Sequence, residues 1–437
     1  MQGFGNAASE DASRSLWRNH DFTVLWAGQT VSTLGSAMSS FVFPIVGYAV
    51  TGSTTRAALA LTSYTVGAII FRLQAGALVD RWNRRLVMVA CNGGGAAVFA
   101  SLAVALLLGH LTLGHLLVAA FLSGLAGSFF GPAEAAAIRT VVPARQLPTA
   151  FSQNQARGHV ASLVGPPLAG LLYSLSRAVP FLVDAVSYAI SAVAICCLRT
   201  PLNAPPRSMD TPRTTLRHDI AEGLRFLMSR GFFRATIAWG AMANFGVSAL
   251  FLVLTLKLLG SGVHPATIGL VDAIGATSGL LGSLAAPRLI RTVPTGRLAI
   301  GTALLVGLGC LPMAFTNNVV VVGFLLAVAL FCNPAGNAAI GSYLVAVTPD
   351  ALQGRVSAAL TFCVSVVNPL GPVVGGVLLA TLGGQSAILV TSVLIALSAA
   401  VLLASKETRE LPTPDSWPVP EPVANAGASA TTPSPVI

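Results

Sequence analysis

Twelve apolar stretches of about twenty residues follow one another between residues 22 and 404. Coiled as a helix, a stretch of that length matches the hydrocarbon thickness of a bilayer. In water these stretches would lack a surface to hide beneath. Of the 437 residues, 54% are hydrophobic and only 9% charged, with 25 basic and 15 acidic side chains. A soluble domain carries about 25% charged residues. A soluble enzyme, a disordered chain and a secreted disulfide scaffold are therefore excluded. A membrane barrel is excluded as well, because its strands alternate apolar and polar positions over roughly ten residues. The expected fold class is an all-α membrane protein with twelve transmembrane helices.

The spans are 22–49, 57–79, 86–109, 115–138, 157–176, 179–198, 234–258, 265–286, 298–316, 318–346, 356–381 and 384–404. An even number places both termini on one side. With the N-terminus inside, 21 of the 25 basic residues fall in cytoplasmic segments, and only Arg56, Arg177 and Lys257 lie at external ones. That asymmetry predicts a cytoplasmic-membrane protein with both termini in the cytoplasm. The same distribution explains the net charge of +10 without nucleic acid as a partner. The six cysteines lie in or beside apolar runs with no C-x-x-C spacing, and read as packing residues. No metal is expected, and no cofactor. The first twenty residues lack the apolar core of a cleavable signal.

Five segments follow: an N-terminal segment 1–21, a six-helix half 22–198, a central loop 199–233, a second six-helix half 234–404, and a tail 405–437. Within the central loop, Leu216, Ile220, Leu224 and Leu227 recur at near-helical spacing among Arg217, Asp219, Glu222 and Arg225. This predicts an amphipathic helix on the inner membrane surface. The proline-rich tail is expected to be disordered. The two halves repeat at an offset of 206: Gly165-Pro166 recurs as Gly371-Pro372, Pro143 as Pro349, and Gly76 as Gly282. Six helices plus six, related by an axis along the membrane normal, form the parallel repeat of one class of secondary transporters.

The densest local motif is Gly76-x-x-x-Asp80-Arg81-x-x-Arg84-Arg85, between the second and third spans. Three arginines suit a cytoplasmic loop, but Gly76 and Asp80 at this spacing need another reason. Gly76 would admit a neighbouring helix, and Asp80 would meet Arg81 or the positive N-terminus of span eleven near Arg355. The motif resembles the loop 2–3 signature of the major facilitator superfamily. Leu16-Trp-Arg-Asn-His-Asp-Phe, Phe129-Phe-Gly-Pro132-Ala, Pro180-Phe-x-x-Asp184-Ala-x-Ser187, Glu222-Gly-x-x-Phe226 and Gly354-Arg355-Val356 are similar to its siderophore and macrolide exporter branch. The resemblance runs from about residue 15 to 404. It implies alternating access between two six-helix halves around a central cavity lined by helices one, four, seven and ten. Departures are visible. Gln74 replaces a usual proline, and the second-half loop, Gly282 to Arg288, lacks the acid.

The resemblance marks candidate residues. Gln29, Thr33, Ser36, Arg72, Trp239, Asn244, Asn333 and Asn337 are candidate cavity-lining positions, with Phe41 and Phe245 for an apolar wall; helix–helix hydrogen bonding is the alternative for the polar ones. Gly165, Pro166, Gly371, Pro372, Gly375 and Gly376 are candidate helix-bend positions. An ionisable group at mid-membrane costs roughly 2.5–3.5 kcal/mol on insertion scales, so those present invite a function. Asp272 and then Glu134 are the candidates for proton coupling, while Asp184 is expected to be structural, bonding Ser187. No nucleotide loop, nucleophile elbow or metal cluster occurs in the sequence, which argues against an enzyme. The expected function is secondary active export of amphipathic small molecules by proton antiport, as in drug or natural-product efflux. A siderophore exporter, a proton-coupled importer and, further off, a membrane sensor are the alternatives. The expected partners are substrate, protons and lipid, and a monomer suffices.

Overall fold

The structure, a computed structural model, describes residues 16–79, 81–202, 216–349 and 352–417. Helix α1 (His20–Thr51) starts where the Asn19 side chain accepts the Phe22 N–H, and stops at Gly52, whose φ of 64° releases the chain from the helix. The first half continues with α2 (Thr54–Ile70), α3 (Arg72–Val79), α4 (Arg84–Leu107), α5 (Leu113–Val141), α6 (Leu147–Leu175) and α7 (Val179–Cys196). A helix α8 (Leu216–Met228) lies in the central segment. The second half holds α9 (Gly231–Gly260), α10 (Pro265–Thr292), α11 (Thr295–Cys310), α12 (Val319–Phe331), α13 (Asn333–Val347), α14 (Gln353–Ser365) and α15 (Leu370–Ala404), followed by the short α16 (Lys406–Arg409).

Among the described residues, nine helical stretches are long and apolar enough to cross a membrane. Three features separate nine from the twelve expected. The second span breaks at Phe71 into 17 and 8 residues. Helix α6 has the length but is diluted by Gln153, Asn154, Arg157, Pro166 and Pro167. Spans eleven and twelve run together over 353–404, although Gly383, at φ 77°, turns the chain between them. The architecture is all-helical and consistent with a count of twelve.

Each half is a bundle, and the halves meet chiefly through two helix pairs, α6 with α10 and α2 with α15. These contacts are tightest at the end remote from the termini. A methyl on Gly170 would sit 2.5 Å from the Ala266 Cα, and one on Gly376 would sit 2.7 Å from the Ala58 Cβ. The two glycines are 206 residues apart and do the same job in each half: they let backbones touch. Thr54 and Thr62 add bonds across the joint, to the carbonyls of Gly376 at 3.1 Å and Pro369 at 3.0 Å. The repeat diverges at its prolines. Helix α6 runs unbroken through Gly165 and Pro166, whereas the second copy breaks at residues 366–369 and places Pro372 in the first turn of α15, where a missing N–H is tolerated.

At the opposite end, the helix termini are fastened by acids, Asp21 buried and Glu407 exposed. Asp21 accepts the backbone N–H groups of Arg199 at 3.1 Å and Thr200 at 2.7 Å, plus the Thr200 hydroxyl. Glu407 accepts the Phe232 N–H at 2.7 Å in the second half. Residues 405–417, expected within a disordered tail, are ordered. Leu411 and Pro412 accept from Gly296 and Thr295, and the Trp417 ring meets Tyr343 edge-on. Residues 418–437 lie outside the described part. Helix α8 has the bounds its periodicity predicts. It packs on α14, with Gly223 against the Arg355 carbonyl, besides any contact with lipid.

Candidate functional site

Between the halves lies a cavity of about 620 Å³. Helix α1 lines it with Ala37, Ser40, Phe41 and Pro44, and α6 with His159, Ser162 and Pro166. Phe251 and Thr255 of α9, Asp272 and Ser283 of α10, and Asn333 at the α12–α13 break complete the wall. The wall is mostly apolar. Asp272 is its acid, and it has no hydrogen-bond or ion-pair partner among the described residues. The closed far end forms the floor. A chamber of this size, with a few polar groups on an apolar wall, holds an organic molecule of moderate size rather than a fully polar one.

The polar stripe of α1 faces elsewhere. Gln29, Thr33 and Ser36 line a second pocket of about 190 Å³ inside the first half, between α1, α4, α5 and α7. The physical reason is satisfaction of buried polar groups: Gln29 donates to Ser191 at 2.5 Å, and Ser36 bonds Tyr188 at 3.0 Å. On α1 the cavity-facing residues are instead Ala37, Ser40, Phe41 and Pro44. Three other candidates are also displaced. Trp239 packs into the cluster around Phe232 and Val356, and Asn244 donates to the Val364 carbonyl. Arg72 is exposed at the start of α3, after the Phe71 break. Asn333 keeps its place in the cavity wall and accepts from Asn337 at 2.8 Å.

Glu134 lies in the second pocket, paired with Arg157 at 2.9 Å and 3.2 Å. Both are buried. The Nε and Nη1 groups of Arg157 have no acceptor among the described residues. Hydropathy gives no sign of this pair, because Arg157 opens the fifth apolar span and its partner lies 23 residues away. His159, two residues on, lines the central cavity and was missed as well. Asp184 is completely buried, accepting from Ser39 at 2.5 Å and from Ser187 at 3.0 Å, the latter as expected.

At the linker end, Arg85 donates to the carbonyls of Leu198 at 2.6 Å and Thr200 at 3.0 Å. Arg81 is exposed and Arg84 partly buried. Asp80 lies outside the described residues. Gly76 makes no close approach, since a methyl there would meet open space. Arg355 pairs with Glu222 of α8.

Two helical bundles joined chiefly by two helix pairs around a chamber have the architecture of a membrane transporter. The family model of the Major Facilitator Superfamily matches residues 25–331 and 245–435, and the chain belongs to that superfamily. It is 28% identical over 428 residues to the multidrug efflux pump Tap of Mycobacterium tuberculosis (strain ATCC 25618 / H37Rv), covering 94% of this chain and 100% of that one. It is 25% identical over 270 residues to macrolide efflux protein A of Streptococcus pyogenes, covering 60% and 65%. Its fold is similar to a bacterial homologue of the human lysosomal transporter Spinster in an inward-facing, unoccupied conformation. The TM-score is 0.70 at 14% identity, over 91% of this chain and 98% of that one. A bacterial homologue of the iron transporter ferroportin gives a TM-score of 0.65 at 18% identity, over 89% and 99%.

Proposed function

We propose that this protein exports amphipathic small molecules from the cytoplasm by proton antiport. The observation that carries the reading is the cavity itself: an apolar chamber of about 620 Å³ with one unpartnered carboxyl, Asp272, in its wall. Full-length similarity to a pump named for multidrug efflux supports the direction. Transport against a gradient needs an input, and a proton crossing a 100 mV potential supplies about 2.3 kcal/mol. A carboxyl that faces water on one side and protein on the other takes and releases that proton in turn.

The positive-inside distribution of basic residues supports a cytoplasmic location for the termini and for the open end of the cavity. In this reading Gly76, Asp80, Arg81, Arg84, Arg85 and Arg355 form the inner gate. Asp80 meets a positive helix end in the opposite, outward-open state. Such contacts are worth roughly 0.3–2 kcal/mol, and a bias of that size shifts a two-state population several-fold. Gly165, Pro166, Gly371, Pro372, Gly375 and Gly376 keep the far-end helices close enough to roll.

The test is reconstitution in liposomes loaded with a fluorescent amphipathic cation, with an imposed pH gradient. Accumulation that follows the gradient and collapses with an uncoupler is expected. Accumulation indifferent to both overturns the antiport.

A further inference from the structure

Asp184 is a buried acid that the export reading leaves idle. It sits on α7 with no exposed surface, and no Lys, Arg or His contacts its carboxyl among the described residues. Room for it is made on α1, where Gly35 lacks the methyl that would strike Asp184 Oδ1. Its donors are few. Ser39 gives one hydroxyl to Oδ2 at 2.5 Å. Ser187 has a single proton and two acceptors in reach: Oδ1 at 3.0 Å and the Asp184 carbonyl at 2.8 Å. A charged carboxyl buried on such terms is expensive, and the same group carrying a proton finds its acceptor in Ser39.

Ser39 has a second neighbour. It also forms part of the wall of the 190 Å³ pocket inside the first half. Ser36 and Tyr188 line the same pocket, and so do Glu134 and Arg157. Two sides of the Arg157 guanidinium, at Nε and Nη1, are buried with no acceptor among the described residues. A polar pocket of this volume has room for several waters, at about 30 Å³ each. One carboxyl thus lines the pocket, and another lies one hydroxyl beyond its wall.

We propose that Asp184 is a second proton-exchanging carboxyl of the transport cycle, reached from the Glu134–Arg157 pair through this pocket with Ser39 as the final bridge. In the loading step a proton from the pocket joins Ser39 Oγ while the hydroxyl's own proton passes to Asp184 Oδ2. Ser39 ends neutral, and the reverse step returns the proton. The titratable groups facing Asp184 are Tyr64 on α2 and Tyr188 on α7, with Cys91 on α4, Glu134 and Arg157 elsewhere in the pocket wall. This inference rests on the antiport reading but concerns the half that lacks Asp272.

The experiment counts protons moved per substrate in proteoliposomes, comparing an entrapped pH dye with substrate flux. Wild type is expected to move two, and Asp184→Asn and Ser39→Ala one each. Ser39→Thr, which keeps the hydroxyl, is expected to restore two. All variants should retain substrate binding and substrate–substrate exchange, which a purely structural defect would lower. An unchanged ratio in Asp184→Asn and Ser39→Ala overturns the proposal and leaves the antiport standing. Wild-type vesicles that move substrate with no protons overturn both. If Asp184→Asn does not fold, the Ser39→Ala and Ser39→Thr pair decides alone, because both leave the carboxyl in place.

Discussion

Glu222 and Arg355 form an ion pair that fastens the helix between the two halves to the first turn of α14. Beneath it, Gly223 lets the two backbones approach, with its missing methyl 2.6 Å from the Arg355 carbonyl oxygen. The pair is about one third exposed on both sides, so solvent screens it. Glu222→Gln should cost less than about 1 kcal/mol. Gly223→Leu must push the helices apart, which should cost about 1–3 kcal/mol. Thermal unfolding in detergent checks the order, and equal losses from both variants would mean that charge, not close packing, holds the joint.

The far-end seal rests on backbone contact at Gly376. Gly376→Val places methyls into Ala58 and the Thr54 carbonyl, so α2 and α15 must separate there. Spin labels at Arg56 and Gln385 should report longer distances and a larger population open at that end. Distances matching those of the unsubstituted protein would show that the seal absorbs the extra volume.

Glu134 and Arg157 are buried together, and removing one partner of such a pair typically costs about 3–5 kcal/mol. The two removals are not equivalent. A lone carboxyl can take up a proton, whereas a lone guanidinium stays charged. Glu134→Gln should therefore lower the unfolding temperature more than Arg157→Met. The reverse order would indicate that Glu134 stays ionised without its partner.

Asp272→Asn preserves shape but cannot titrate. The variant should bind and exchange substrate while moving fewer protons per substrate and building a smaller gradient under an imposed pH difference. A proton-to-substrate ratio and a gradient equal to those of the unsubstituted protein in liposomes would remove Asp272 from the coupling step and move attention to Glu134.

Orientation is open to single-cysteine labelling in a background freed of the six native cysteines. A cysteine replacing Thr112 should react with an impermeant reagent in intact cells, and one replacing Asp210 should not. The opposite pattern would invert the topology and, with it, the direction in which the cavity opens.

Much of the fold was legible from hydropathy alone. A span of apolar residues has to coil, because in hydrocarbon each backbone group must find its partner within the chain. That reasoning predicted an all-helical membrane fold, and the bounds of α8 match its periodicity. The 206-residue repeat is borne out in Gly170 and Gly376, which perform equivalent contacts. Asp184 bonding Ser187 was also within reach, because one turn of helix relates them.

Which face of each helix meets the cavity was decided by tertiary structure. Gln29, Thr33 and Ser36 have the spacing of a cavity stripe, yet Ser191 and Tyr188, more than 150 residues away, turn them inward. Periodicity states that a face is polar but not what stands opposite it. Arg157 and Asp21 are buried because Glu134 and the backbone of Arg199 and Thr200 receive them. Hydropathy depends on residues one at a time and fixes what must leave water. Pairing depends on two residues brought together by the whole chain, and the cost of burying a charge vanishes or persists according to that partner.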